Sequence, residues 1–347
     1  MKYKILGRTG LFVSEMCLGT MTFGQSGGKY AAASGVMQND ADSIIRAAFD
    51  AGINFIDTAD VYASGQSEEI IGRSIKNLGL ARNELVISTK MGHATGNGPN
   101  HGGNSRYHIM NQVKGSLKRL GIDHIDLYQL HGWDPVTPVD EIIRTLNDLV
   151  QQGLVRYIGV SNWAAWQIQK AIGCSAQINS VRFESVQAYY SLAGRELERE
   201  ILPMIESEQL GLMVFSPLAG GYLTGKYLNS TIHGRRTTIA FPPVDSIKCE
   251  PILYSLAEIA DELGTSLSAI SIAWLLAKRT VSSVILGVRD VEQLNDNLKA
   301  SVITLSDEHI QKLEKASALS PEYPVWMMAG STSREQLLKT GNLGHSF

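Results

Sequence analysis

Residues 52–62 read GINFIDTADVY, a glycine, a short apolar run, an acid, and a loop that ends in Tyr62. Gly52 closes a helix opened by Asp40, whose Ala41, Ile44, Ile45, Ala48 and Phe49 recur at i, i+3, i+4 spacing. The run Ile53–Asp57 then reads as a strand. Downstream, Ser67 precedes two acids and the stripe Ile70, Ile71, Ile75, Leu78, the signature of a second capped helix. A strand set between two amphipathic helices is the unit of a parallel sheet.

The same alternation extends in both directions. Strands are expected at Glu15–Leu18, Leu85–Thr89, Asp126–Leu130, Arg156–Val160, Ser180–Gln187, Leu212–Ser216 and Ser283–Leu286, which with Ile53–Asp57 makes eight. Between two of them Thr137 precedes Pro138, a residue suited to the first helical position, and the stripe Val139, Ile142, Ile143, Leu146, Leu149. Eight such units close as a barrel or lie open as a doubly wound sheet. No GxGxxG follows the first strand, so the fingerprint of an open dinucleotide-binding sheet is missing. The expectation is an α/β fold, a (β/α)8 TIM barrel, capped by a hairpin in which Tyr3–Ile5 and Phe12–Ser14 flank GRTG. A single domain over 1–347 follows, with the hairpin cap at 1–14, the barrel at 15–305 and a C-terminal helix and tail at 306–347. Gly92–Ser105 and Tyr227–Glu250, the latter carrying Arg235, Arg236 and Pro242–Pro243, read as long loops over the active mouth.

Composition narrows the function. Hydrophobic residues make up 44% and charged residues 19% of the chain, the balance of a globular protein with a large core. Thirty-one Lys and Arg against 34 Asp and Glu leave a net charge of −3, which offers no basic surface for nucleic acid or an anionic membrane. Cys17, Cys174 and Cys249 stand apart, with no CxxC pair and no metal-ligand spacing, and read as reduced thiols. No uninterrupted apolar stretch is long enough to span a bilayer, so a soluble, cytoplasmic protein acting on a small molecule is expected, with no metal.

Barrel strands converge at their C-terminal ends on one mouth, where polar side chains call for a reason. INFID ends in Asp57 with Tyr62 beyond it, LVIST runs into Lys90, and DLYQL runs into His131. By strand parity Asp57 shares a face with Ile53 and Phe55, and His131 with Leu127 and Gln129. Taken singly, Asp57 suits a helix cap, Lys90 a solvated loop, Tyr62 ordinary packing and His131 a hydrogen-bonded loop. Together they form a proton-transfer set. An ammonium beside a phenol favours its ionised form, so Lys90 tunes Tyr62. Asp57 pairs with Lys90, and His131 orients a carbonyl oxygen. Such a set suits protonation of an oxygen while hydride reaches the attached carbon, which is carbonyl reduction by a nicotinamide.

The stretches GINFIDTADVY, LVISTK, IDLYQLH, VRYIGVSN and VFSPLAGGYLTGKY resemble, in order, motifs of the aldo-keto reductase superfamily, over about Tyr3 to Ser306. The resemblance implies a catalytic tetrad of Asp57, Tyr62, Lys90 and His131 and an NADP(H) site. It places Ser161, Asn162 and Gln187 on the nicotinamide carboxamide and Tyr190 against the ring. Ser216, Leu218, Gly220 and Lys226 fall in the segment over the pyrophosphate, where glycines let backbone N–H groups approach phosphate. Gly287 and Arg289 open a helix after the last strand, with Gln293 and Asn297 facing adenine. Arg289 suits the 2′-phosphate of NADP through its planar fork. Leu286 stands where a proline often precedes that glycine.

Met21, Phe23, Trp133 and Trp326 are candidates for an apolar pocket wall, which would favour aromatic or alicyclic aldehydes and ketones. Three other readings stay open: oxidation of a secondary alcohol by NADP⁺ as the natural direction, a nucleotide-sensing subunit like the potassium-channel β subunits, and a barrel enzyme that uses no nicotinamide.

Overall fold

A computed structural model describes residues 1–27, 33–228 and 235–329. The chain divides into two compact units, Met1–Ser317 and Ala318–Phe347. In the first, β1 (Tyr3–Ile5) and β2 (Phe12–Ser14) form an antiparallel hairpin. Then follow β3 (Met16–Gly19), α1 (Gln38–Asp50), β4 (Phe55–Asp57), α2 (Gln66–Asn77), β5 (Val86–Met91), α3 (Arg106–Leu120), β6 (Ile125–Leu130), α4 (Val139–Gln151), β7 (Val155–Ser161) and α5 (Ala165–Gln177). The series continues through β8 (Ser185–Tyr189), α6 (Ile201–Glu208), β9 (Gly211–Phe215), the short α7 (Arg235–Thr238), α8 (Ser246–Leu263), α9 (Leu267–Leu276), β10 (Val281–Gly287), α10 (Val291–Leu298) and α11 (Asp307–Ala316). Strands β3 to β10 pair in parallel in chain order, and β10 returns to β3. This is the expected (β/α)8 barrel with its hairpin. Among the described residues no single helix is long and apolar enough to cross a membrane.

Strand parity separates two cores. Side chains facing outward, such as Ile56, Ile87, Tyr128 and Val186, pack under the helices. Those facing inward, Cys17, Phe55, Val86, Leu127, Met213 and Ile285, fill the barrel's lower half together with Leu6 and Val13 of the hairpin segment. The hairpin therefore plugs the end opposite the mouth, and the polar ends of the strands are left to the other end.

Local starts differ from the expected ones. Helix α1 begins at Gln38 after Met37, so Asp40 lies in its first turn. Ser67 is inside α2, fully buried, its hydroxyl shared with Thr58 and Thr20, and α2 starts instead after left-handed Gly65. Thr137 donates its hydroxyl to Asp134, which leaves Pro138 at the cap of α4. Continuous pairing of β8 starts only at Ser185, opposite Gly159, and Arg182, three residues earlier, pairs with Glu208. Gly92–Ser105 is a loop held by Gly103 N–H on the Gly92 carbonyl and Asn104 N–H on Asp134. Tyr227–Glu250 is less open than its sequence suggests, since it holds α7 and the start of α8, which Asp245 caps. Residues 229–234 of that segment and 330–347 of the tail lie outside the described residues. The second unit contributes α12 (Val325–Ala329), with the Trp326 ring edge-on to Tyr323.

Candidate active site

Asp57 is the last residue of β4 and faces inward. Its Oδ2 accepts from Lys90 Nζ at 2.6 Å, and its Oδ1 accepts from Ser88 Oγ at 3.0 Å, Gln187 Nε2 at 3.0 Å and Gln129 Nε2 at 3.3 Å. Lys90 is fully buried and gives a second proton to the Thr58 carbonyl at 2.7 Å. Burial alone would lower the pKa of its ammonium, but the Asp57 carboxylate, and then Tyr62, more than reverse this and hold it above the ordinary lysine value. A layer this polar fits inside a barrel because the Asp57–Lys90 charges are paired and hydrogen-bonded, although Gln129 Oε1 and Ser185 Oγ beside them have no partner. Gly159 is part of the fit, since a Cβ there would stand 2.4 Å from Ser185 Oγ and 3.2 Å from Gln129 Cγ.

Tyr62 opens a tight turn in which Ala63, Ser64 and Gly65 all take positive φ. Left-handed backbone at two consecutive non-glycine residues is costly, and here it sets the loop that carries Tyr62. The Tyr62 ring lies with its centroid 5.1 Å from Lys90 Nζ and 5.8 Å from the His131 ring, which it meets edge-on. His131 follows β6, its N–H bound to the Met91 carbonyl. Burial, the Lys90 charge and neighbouring His93 together hold its imidazole well below the usual histidine pKa, so it is neutral at neutral pH. The His93 ring stands 4.4 Å from it. Beside these rings opens a cleft of about 200 Å³ lined by Gly92, His93, Asn104, Trp133, Asp134 and Pro135.

Across the mouth, Ser161 ends β7 with its Oγ buried and without a hydrogen-bond partner. Asn162 has φ 58° and donates its side-chain amide to the His131 carbonyl at 3.0 Å. After β9, Ser216, Ala219, Gly220 and Gly221 all have positive φ. A Cβ on Gly220 would meet the Phe241 carbonyl at 2.6 Å, and one on Gly221 would stand 3.4 Å from Lys226 Nζ. A cation thus lies over a turn whose backbone only small residues permit. Arg289, after β10, donates to the Ser34 carbonyl at 3.1 Å and lines a cleft of about 210 Å³ with Ser34, Gly35, Val36 and Asp40.

The barrel and this mouth agree with what the chain matches. The Aldo/keto reductase family model matches residues 15–318. The chain belongs to the aldo/keto reductase family. An oxidoreductase fits this assignment, and the family generally uses NAD(P)H. An uncharacterized oxidoreductase of Bacillus subtilis is 38% identical over 90% of this chain and 95% of its own. A probable voltage-gated potassium channel subunit beta of Oryza sativa subsp. japonica is 37% identical over 93% of this chain and 98% of its own. The Arabidopsis thaliana protein of that name is 36% identical over 93% and 99%.

Within this aldo/keto reductase the structure draws Asp57, Tyr62, Lys90 and His131 together, with Ser161, Asn162 and Gln187 at the same end of the barrel. Two expected positions are corrected. Tyr190 faces outward: it is 1% exposed, gives its hydroxyl to Glu198 and packs its ring on Trp274, so it is closed to a ligand in the mouth. Tyr189, one residue earlier and of the inward parity of Gln187, stands instead 5.9 Å from the Phe215 ring, both half-buried. Phe23 is fully buried in the outer core, paired with Val36, and forms no pocket wall. Met21 is half-buried, and Trp133 lines the cleft with its ring edge-on to Trp163 and Trp166. Leu218 is half-buried beside the left-handed turn, while Gly287 is exposed at the end of β10. Gln293 accepts from the Arg289 N–H and donates to Asp290, and Asn297 is buried one turn on. Ser88 and Gln129 were missed as partners of Asp57, although each shares the inward parity of the residue two further along its strand. His93 was missed because it lies in a loop, where no period marks it.

Proposed function

We propose that this chain is an NADP(H)-dependent oxidoreductase that interconverts small aldehydes or ketones and their alcohols, with Tyr62 carrying the proton. The observation that supports it most is the buried Asp57–Lys90 pair set against the Tyr62 ring and beside a neutral His131. The Lys90 ammonium favours negative charge on the phenol oxygen and eases release of its proton to a substrate oxygen. Neutral His131 holds that oxygen by hydrogen bonding and does not compete as an acid. When bound, the cofactor supplies the hydride in reduction and takes it in oxidation.

The donor set fits a nicotinamide dinucleotide. Ser161 offers an orphaned hydroxyl and Asn162 a left-handed backbone beside the mouth. Gln187 is already tied to Asp57, so holding the carboxamide there also steadies the proton-transfer set. The turn of Ser216, Leu218, Gly220 and Gly221 with Lys226 suits the pyrophosphate. Arg289 suits the 2′-phosphate, with Gly287 before it and Gln293 and Asn297 at the adenine. In place of Tyr190, the aromatic face for the nicotinamide is assigned to Phe215 and Tyr189. Met21 and Trp133 remain the walls for an apolar or aromatic substrate, in a cytoplasmic setting.

A second reading, a nucleotide-sensing subunit with little turnover, is favoured by the names of two relatives. Steady oxidation of NADPH by a panel of aromatic aldehydes, run also with NADH and with alcohols plus NADP⁺, separates the readings. Multiple turnovers support catalysis. Tight NADPH binding without turnover supports the sensor, and no quenching of protein fluorescence by NADPH would refute both.

A further inference from the structure

Behind the loop that carries Tyr62, on the outward side of the barrel, lies a second polar cluster. Thr89 and Tyr128 have the opposite strand parity to Lys90 and Gln129 and point under α2 and α3. Glu68 of α2 is fully buried, with Oε1 taking the Thr89 hydroxyl at 2.6 Å and Oε2 taking Arg119 Nε of α3 at 2.6 Å. Arg119 also reaches Ser116. Into this cluster falls Asp60, 3% exposed, with no side chain bound to either carboxyl oxygen, near a fully buried Tyr128 hydroxyl that has no partner. Arg119 is bound to Glu68, and among the described residues no cation forms an ion pair with Asp60. Asp60 is nevertheless tied to the mouth: its N–H donates to the Lys90 carbonyl at 3.0 Å, and it lies two residues before Tyr62.

We propose that Asp60 is a positioning residue for Tyr62: a carboxyl kept in its neutral form so that Asp57 alone balances Lys90, and whose ionisation limits hydride transfer at alkaline pH. The groups facing it agree. Burial, then the Glu68 charge, push its pKa up to about 8, against smaller opposite pulls from Arg119, the Val61 N–H and Lys90. The same surroundings, burial first and then Asp60 and Glu68, push Tyr128 well above the ordinary phenol range, so it stays neutral throughout. Once Asp60 gives its proton to solvent, a second anion cancels part of the Lys90 field at Tyr62. The phenol then becomes a weaker acid, and its phenolate is harder to form for the reverse reaction.

The inference rests on the reading of Tyr62 as proton carrier, and two measurements keep them apart. Hydride transfer from NADPH to a nitro-substituted benzaldehyde is followed by stopped flow from about pH 6 to about pH 10, each profile scaled to its maximum. The wild-type rate is expected to fall through an ionisation near the Asp60 value, and in Asp60→Asn that limb is lost or moves up by at least about one unit. Infrared difference spectra between neutral and alkaline pH are expected to show a protonated-carboxyl C=O band that disappears on alkalinisation and is missing from Asp60→Asn. Superimposable rate profiles, in a variant whose circular dichroism shows it folded, overturn the inference. So does the lack of that band in the wild type, whatever the rates. Undiminished hydride transfer in Tyr62→Phe would instead overturn the reading of Tyr62 and with it the role of Asp60, while leaving the band in place.

Discussion

Asp57 and Lys90 are the groups on which the site depends most, and a double-mutant cycle measures the dependence. Lys90→Met removes the cation and leaves a buried carboxylate with only the neutral donors Ser88, Gln129 and Gln187. Asp57→Asn replaces an acceptor oxygen by a donor, which must then face either the Lys90 ammonium or the three neutral donors. Because the pair is almost fully buried, each single change is expected to cost about 3–5 kcal/mol. Over Met1–Ser317, at roughly 2 cal/mol/K per residue, that corresponds to a fall in Tm of about 4–8 °C. Asp57→Asn with Lys90→Met leaves no unpaired charge, so its cost is expected to be several kcal/mol below the sum of the singles. The assay is thermal and denaturant unfolding of the four proteins. Costs that add to within about 0.5 kcal/mol would refute the reasoning, since independent sites add and a buried ion pair does not.

Other expectations follow from single contacts. Arg289→Ala is expected to weaken NADPH by roughly 10- to 100-fold, the worth of a charge-assisted contact, and NADH much less; fluorescence titration with both nucleotides checks it, and equal loss would remove the 2′-phosphate assignment. Gly159→Ala forces a Cβ against Ser185 and Gln129 and is expected to cost about 1–3 kcal/mol by overpacking while lowering turnover through Gln129 and Asp57. Asp60→Asn bears on stability as well as rate. The raised folded-state pKa means that the wild type gains stability from this group below the unfolded value near 4 and loses it as pH rises to about 8. The variant's advantage is therefore expected to grow by a few kcal/mol across that window and to level off above it, as read from urea midpoints.

Much of the barrel was legible because its strands are short, apolar and regularly spaced between amphipathic helices. Parity then placed Asp57 and His131 correctly. The same parity had put Gln129 on the face of His131 without making it a partner of Asp57; carried two residues back from Lys90 it reaches Ser88, and from Gln187 it puts Tyr189 rather than Tyr190 on the inward face. Helix starts were less legible, because Ser67 and Thr137 have hydroxyls that suit caps but spend them on Thr20, Thr58 and Asp134. His93 and Asp60 sit in loops, where no period exists. Asp60 is buried under α2, close by in sequence, and α3, far from it, while His93 stays exposed and joins the site through its ring contact with His131. A lone acid in a loop looks solvated until those helices are in place.

Single-turnover hydride transfer in Tyr62→Phe tests the role of Tyr62 as proton carrier most directly. The ring, its packing on His131 and its place beside Lys90 are kept, and only the hydroxyl is lost. The expected result is a fall of roughly 10²- to 10⁴-fold in the rate of hydride transfer to an aromatic aldehyde, with NADPH affinity within about twofold of wild type. A rate near wild type, or a loss of NADPH binding that accounts for the fall, would contradict the claim that Tyr62 carries the proton.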